Sequence, residues 1–442
     1  MLQVGLLTLG CAKNQVDSEI MLGLIQKAGY QIIDEYKKAD VLIVNTCGFI
    51  SDAKEESVES ILQLAHYKEE GNCKLLIATG CLAQGYNEEL ADEIPEIDAF
   101  LGTGDFDQIV EVIEESLEGA KKLKVSNPDF DYDRNLPKNN LTTGATAYVK
   151  IAEGCNNCCS YCVIPKLRGG LRSRSIENIV KEVKNLAKQG IKEVNIIAQD
   201  ITQYGIDLYG EARLVDLLKE LVKVAEIKWF RLLYAYPTRV SDELINLIAT
   251  EDKICNYLDL PVQHADQEIR EKMNRRGDKV AILDVVNRLR DRIPNIALRT
   301  SVIVGFPGET EDNFRNLLDF IEQAEFDRLG AFTYSQEEGT SAAQMSCQIP
   351  EPRKEERYKK VMQLQQRISQ RHNQNLIGKE VKVLLEEVHS KEPRIMVGRS
   401  QREAPDVDGV IYVEDTEAKV GEMIKVKLTN GYEYDLTGVE VK

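Results

Sequence analysis

The chain has 442 residues, too many for one ordinary hydrophobic core, and its 43% apolar content is that of a globular protein. A formal net charge of −17 argues against broad, nonspecific attraction to phosphate backbones and suits a basic partner. No apolar run approaches a membrane span, and the start Met1-Leu2-Gln3-Val4-Gly5-Leu6 lacks the basic residues of a secretory signal, so a cytoplasmic location with no membrane partner is expected.

The first segment alternates short β-branched or leucine-rich strands with helical patterns. Strands are expected at Val4–Leu9, Val41–Asn45 and Leu75–Thr79, and helices at Asp17–Ala28, Ser51–Tyr67 and Phe106–Glu118. This is the signature of a parallel α/β sheet occupying residues 1–124. Residues 125–144 are rich in Asn, Asp and Pro without a period and read as a linker.

Residues 145–372 repeat the alternation six times. Strands are expected at Ala147–Ala152, Glu193–Ala198, Trp229–Ala235, Tyr257–Pro261, Leu298–Val304 and Leu329–Tyr334, each followed by a helical stretch. Six βα units imply an open, barrel-like parallel sheet whose site lies at the carboxyl ends of the strands. A charged helix from Pro352 to about Asn375 leads to residues 376–442. There, short alternating runs with turns at Asp408-Gly409 and Asn430-Gly431 describe a small β-barrel.

Ten cysteines in a reducing compartment point to metal or redox chemistry more than to disulfides. Cys155, Cys159 and Cys162 lie on the loop after the first barrel strand, and three thiolates so close can wrap one face of a 4Fe-4S cluster, leaving one iron open. A zinc knuckle that adds Cys158, or a redox pair, is the plainer alternative, but zinc ligands usually come as separated pairs. Cys158 is read as a bystander.

Cys11, Cys47 and Cys81 each follow the end of an expected strand, one βαβ unit apart, beside Gly10, Gly48 and Gly80. Neighbouring strands would deliver these three thiols to one crevice as the ligands of a second cluster. Three independent buried cysteines are the alternative. Cys73, Cys255 and Cys347 have no such placement and read as structural. Around the barrel mouth, ligand contacts are expected from Gln199, Gln263 and Arg299. Gly305, in Gly305-Phe306-Pro307-Gly308, lets the backbone approach an adenine or ribose. Lys166, Arg168, Arg172 and Arg174 form either a solvated basic loop or a clamp on an acidic substrate group.

Over nearly its whole length the sequence resembles the methylthiotransferases of the radical S-adenosylmethionine superfamily. The resemblance rests on the amino-terminal cysteines, the Cys155-Cys159-Cys162 loop and a carboxyl-terminal barrel of the TRAM type. It implies two 4Fe-4S clusters, with S-adenosylmethionine as the ligand of Gln199, Gln263, Arg299 and Gly305. One molecule of S-adenosylmethionine is cleaved to a 5′-deoxyadenosyl radical and another methylates sulfur, with a flavodoxin or ferredoxin as the expected electron donor.

Within the family, Leu9-Gly10-Cys11-Ala12-Lys13-Asn14, Cys47-Gly48-Phe49-Ile50, Ala53-Lys54-Glu55-Glu56-Ser57, Ala198-Gln199-Asp200 and Ala404-Pro405-Asp406-Val407-Asp408-Gly409 are similar to the branch acting on ribosomal proteins. That branch modifies the β-carbon of an aspartate in small-subunit protein S-twelve; the alternative branch acts on isopentenylated adenosine of transfer RNA. Charge argues separately for the first. Residues 376–442 carry ten Lys or Arg against fourteen Asp or Glu, a net −4, which matches a basic protein partner better than RNA. RNA contact is therefore expected to be secondary.

Overall fold

The computed structural model describes every residue except Ala120, Lys121, Asn135, Thr143 and Lys442. Of the expected segments, Asn135 and Thr143 of the linker, Ala120 and Lys121 before it and the terminal Lys442 therefore lie outside the described residues. The chain divides into two compact units. One comprises Met1–Leu141, Ala152–Asn178 and Ser335–Ala343; the other comprises Thr142–Ile151, Ile179–Tyr334 and Gln344–Lys442. Each unit is assembled from three separate segments of the chain.

In the first unit, β1 (Gln3–Thr8), β2 (Gln31–Ile32), β3 (Val41–Thr46), β4 (Leu75–Gly80), β5 (Ala99–Leu101) and β6 (Lys122–Lys124) pair in parallel in the order β2-β1-β3-β4-β5-β6. Val41 to Val44 and Leu75 to Ala78 are buried throughout, as central strands covered on both faces require. Helices Ala12–Lys27, Ser51–Ala65 and Cys81–Glu93 return the chain between strands. The last of these escaped the sequence reading, because Gly85 and a non-helical Tyr86 (φ −140°, ψ 30°) break its period. β5 and β6 are three residues each, too short to show alternation.

The described residues among 125–141 form no helix or strand, yet they are packed rather than a free tether. Phe130 and Tyr132 are buried, their ring centroids 4.8 Å apart and 4.7 and 5.7 Å from that of Phe106. Two aromatic anchors at irregular spacing leave no periodic trace in a polar segment. That is why it reads as a linker.

The second unit begins at β7 (Thr146–Lys150). The next two strands, β8 (Ala152–Glu153) and β9 (Arg172–Ser173), instead pair antiparallel within the first unit. The second sheet continues through β10 (Glu193–Ile197), β11 (Trp229–Leu232), β12 (Ile254–Asp259), β13 (Ala297–Val304) and β14 (Arg328–Thr333). All are parallel and in sequential order from β7, so the sheet is open and six-stranded. After helix Glu351–Gln374, β15 (Glu380–Val388), β16 (Ile395–Arg399), β17 (Ile411–Glu414), β18 (Met423–Gly431) and β19 (Leu436–Glu440) close a small barrel around Val383, Leu385, Val413 and Val426. Its last turn lies later than the expected Asn430-Gly431. Asn430 still belongs to β18 and pairs with Thr437, and the turn falls at Tyr432–Asp435.

Within this unit one loop of the small barrel, residues 399–408, touches all six strands of the open sheet. Arg399 meets Thr146 of β7 and Glu193 of β10; Arg231 of β11 donates to the carbonyls of Ser400 and Gln401 at 3.0 and 2.7 Å. Tyr257 of β12 donates to Asp408 at 2.7 Å, Arg299 of β13 faces the same carboxylate at 3.5 Å, and Arg328 of β14 faces Glu403 at 3.5 Å. Thr146, Glu193 and Arg328 are the first residues of their strands, so the loop meets the amino-terminal edge of the sheet.

Candidate functional site

The carboxyl ends of β1, β3 and β4 are consecutive neighbours in the first sheet, with Thr8 paired to Asn45 and Thr46 to Gly80. Each strand releases a cysteine at or just before the start of a helix. Cys11 is the N-cap of helix Ala12–Lys27, Cys81 opens helix Cys81–Glu93, and Cys47 precedes helix Ser51–Ala65. Helix N-termini present unpaired N–H groups and positive potential, which favour thiolates. The three thiols lie close enough that each charge would disfavour the next, as the mutual influence of Cys47 with Cys11 and Cys81 records.

Two polar residues hold this crevice in shape. Asn14 donates its side-chain N–H groups to the carbonyls of Leu9 and Thr46 at 3.0 and 2.9 Å, bridging the ends of β1 and β3. Ser57 takes both hydrogen bonds of the Cys47 peptide, accepting from its N–H and donating to its carbonyl, each at 3.0 Å. Gly10, at φ +85°, lies so near Cys47 that a Cβ would stand 2.8 Å from its Cβ and 3.0 Å from its Sγ. No larger residue fits there.

The thiols differ in how readily they ionise. Desolvation works against a Cys11 thiolate, but the charges of Lys13 and Arg168 with the N–H groups of Asn14 and Lys13 hold its pKa below the ordinary thiol value. Burial pushes Cys47 up to about 12 and raises Cys81, against the pull of Arg168 on each. Arg168 is neither a solvated side chain nor a substrate clamp. Only 2% exposed, its Nε donates to Cys81 Sγ at 3.3 Å, and its Nη1 serves Asp17 at 2.9 Å and Glu153 at 2.8 Å. Arg172 caps the carbonyls of Phe130, Arg168 and Gly170, and Arg174 grips Asn178, while Lys166 is exposed.

Cys155, Cys159 and Cys162 lie in the same compact unit, on a loop whose neck is closed by β8 and β9. Gly154, at φ +75°, turns the chain into it, and the Cys155 N–H donates to the Gly169 carbonyl at 3.1 Å. Cys155, Cys159 and Cys162 are partly exposed; Cys158 is exposed, with its Sγ 3.8 Å from the Asn156 carbonyl of its own loop. After Cys162 the short helix Ile164–Arg168 lays Val163 and Leu167 on Cys81. Among the described residues no three His, Cys, Asp or Glu side chains converge on one point as ligands of a single ion would. In a cubane each thiolate holds a different iron, so its three ligands need not converge on one point.

The four other expected residues all belong to the second unit. Gln199 follows β10, next to Asp200, which caps the turn Ile201–Gln203 and receives Arg239 at 2.6 Å. Gln263, at φ +71°, bridges Val302 beyond the end of β12, exchanging backbone hydrogen bonds with Ser301 and Ile303 at 2.8 and 2.7 Å. Gly305, at φ +74°, ends β13, and its N–H donates to Glu309. Glu309 is buried, facing His264 at 3.3 Å and Arg357 at 3.1 Å, so this one carboxylate braces the whole glycine turn. Arg299 is held by carboxylates of the fold, its Nη1 3.0 Å from Asp259 and its Nε 3.5 Å from Asp408.

Sequence reasoning passed over Asn14 and Ser57, and it read Arg168 only as part of a basic loop or a substrate clamp, not as a partner of Cys81. Asn14 and Ser57 stand inside runs already singled out for Cys11 and Cys47, which was the available signal. Arg168 gave none, because its partners Asp17 and Cys81 are remote in sequence.

Comparison with known proteins places three matches along the chain. Residues 3–102 match the family described as uncharacterized protein family UPF0004, residues 149–321 the radical SAM superfamily, and residues 377–441 the TRAM domain. Full-length relatives include the ribosomal protein uS12 methylthiotransferase RimO of Geotalea uraniireducens, 50% identical over 99% of this chain and 98% of the relative. The proteins of the same description from Syntrophotalea carbinolica (51%, covering 99% and 96%) and Clostridioides difficile (48%, covering 99% and 98%) are similar to it as well. Among solved structures, the radical S-adenosylmethionine methyltransferase TsrM of Kitasatospora setae aligns with TM-score 0.56 at 14% identity, over 75% of this chain and 72% of that one. The cobalamin-dependent radical enzyme OxsB aligns with TM-score 0.54 at 12% identity, over 83% and 56%. These two likenesses concern the fold.

Proposed function

The chain belongs to the RimO family of ribosomal protein uS12 methylthiotransferases, and from that membership we propose that it places a methylthio group on the β-carbon of an aspartate of uS12 by radical S-adenosylmethionine chemistry. The observation that carries this reading is the gathering of Cys11, Cys47 and Cys81 at adjoining strand ends, in the same compact unit as the Cys155, Cys159 and Cys162 loop. Each triad holds one 4Fe-4S cluster. When bound, these clusters and S-adenosylmethionine supply the electron for sulfonium cleavage and the sulfur that is transferred.

The protein's own part is positioning. Asn14 and Ser57 fix the strand ends that bear the first triad, Gly10 leaves room beside Cys47, and burial of Cys47 and Cys81 keeps water from the sulfur. Gln199, Gln263 and the Gly305 turn receive S-adenosylmethionine, the turn being held rigid by Glu309. The acidic surface steers a basic ribosomal protein toward the enzyme. Contact of the TRAM barrel with RNA is secondary. A flavodoxin or ferredoxin delivers the electron in the cytoplasm. Among the described residues no helix is long and apolar enough to cross a membrane.

Anaerobic reconstitution, followed by incubation with reductant, S-adenosylmethionine and a uS12 peptide, tests this reading. A mass gain of one methylthio group on aspartate is expected. Modification of isopentenylated adenosine in transfer RNA, with the peptide untouched, overturns it.

A further inference from the structure

The guanidinium of Arg168 touches the surroundings of both cysteine constellations. It ends helix Ile164–Arg168, which follows Cys162 directly. Its backbone is held from both sides: Thr103 donates to the Leu167 carbonyl at 2.6 Å and Arg172 to the Arg168 carbonyl at 3.1 Å. Every edge of the fork is used. Nη1 faces Asp17 and Glu153, Nη2 donates to Asn14, and Nε is left for Cys81 Sγ at 3.3 Å. Tyr132 closes the far side, donating toward Asp17 at 3.2 Å and Glu153 at 3.0 Å.

Burying an arginine between two carboxylates costs desolvation that a fold does not need for its own sake, and an apolar set of similar volume would pack at least as well. The arrangement becomes intelligible from its fourth edge. The carboxylates fix the plane of the guanidinium, and the plane aims one N–H at a sulfur. Hydrogen bonds to a cluster's thiolates, and nearby positive charge, stabilise the reduced and more negative state.

We propose that Arg168 is the positioning residue of the cluster held by Cys11, Cys47 and Cys81: its Nε–H fixes the Cys81 thiolate and raises that cluster's reduction potential. Because Arg168 is carried by the helix that follows Cys162, the seating of one cysteine loop sets the electrostatic surroundings of the other cluster. This rests on the assignment of a 4Fe-4S cluster to the first triad.

The test uses the full-length Cys155→Ala/Cys159→Ala/Cys162→Ala protein, reconstituted anaerobically and titrated with dithionite under electron paramagnetic resonance. About four irons per chain are expected. Absence of iron in this protein sinks the underlying cluster assignment, a failure distinct from that of the proposal. With iron bound, adding Arg168→Gln should move the midpoint to more negative potential, and Arg168→Lys, which keeps the charge without the fork, should fall between. An unchanged midpoint at full iron occupancy overturns the proposal. Should the Gln variant lose its iron, Arg168→Lys provides the measurement by itself: it keeps the charge but not the Nε–H aimed at Cys81, so its midpoint should lie below that of the parent, and an unchanged midpoint at full iron occupancy overturns the proposal equally.

Discussion

Glu193 and Arg399 form a fully buried ion pair, Oε2 to Nη2 at 2.6 Å, between the first residue of β10 and the last of β16. Arg231 takes the other carboxylate oxygen at 2.8 Å, so a single anion sits between two cations inside the second unit. Burial opposes the charge on Glu193, but Arg399 and Arg231 outweigh it and hold its pKa down at about 2.

The pH dependence follows from that depression. A carboxylate whose folded pKa lies below its unfolded value stabilises the fold fully above the unfolded value and loses that contribution as the pH falls toward the folded one. Here the window runs from about 4.5 to about 2, and the contribution at neutral pH is roughly 3 kcal/mol. Urea unfolding at a series of pH values should show the wild-type protein weakening across that window. Glu193→Gln should be weaker at neutral pH and lose less stability than the wild type across that window.

Gly10→Ala should disable one cluster only. Its Cβ would press on Cys47 and the backbone would be held at φ +85°, a strain of about 1–3 kcal/mol. Iron per reconstituted chain should fall from about eight to about four. An unchanged iron count would mean that Cys47 is not a ligand.

The two triads should separate by product. Replacing Cys155, Cys159 and Cys162 by alanine should abolish formation of 5′-deoxyadenosine. Replacing Cys11, Cys47 and Cys81 should leave that cleavage measurable by chromatography while removing the methylthio product. Loss of both activities in both variants would contradict the division of labour.

Asp408→Ala removes the partner of Tyr257 and one carboxylate facing Arg299, and should cost about 2–3 kcal/mol in a denaturant titration. Iron content should stay at the wild-type level, since the cysteines of both triads belong to the other compact unit. Iron loss at full folding would contradict a role confined to the fold.

Much of this architecture is legible in the sequence because its strongest signals are local. Buried runs such as Val41 to Val44 announce central strands, and three cysteines at equivalent strand ends announce a shared rim. What stayed hidden depends on distant neighbours. Arg168 lies in a basic stretch and reads as solvated until Asp17, Glu153 and Cys81 are brought to it. Phe130 and Tyr132 are lost in a polar segment, and Asp408, which faces Arg299, comes more than a hundred residues later.

The interleaving of the two compact units has a consequence for how the protein is made. Met1–Leu141 leaves the ribosome early, bearing Cys11, Cys47 and Cys81, yet the last piece of its own unit, Ser335–Ala343, is synthesised much later. That piece carries Glu337, which pairs with Lys54 in the helix after Cys47. A nascent chain therefore exposes its first thiols well before the body around them is complete. Delivery of iron and sulfide is best timed after translation ends, and no cut in the chain yields either unit as one continuous fragment.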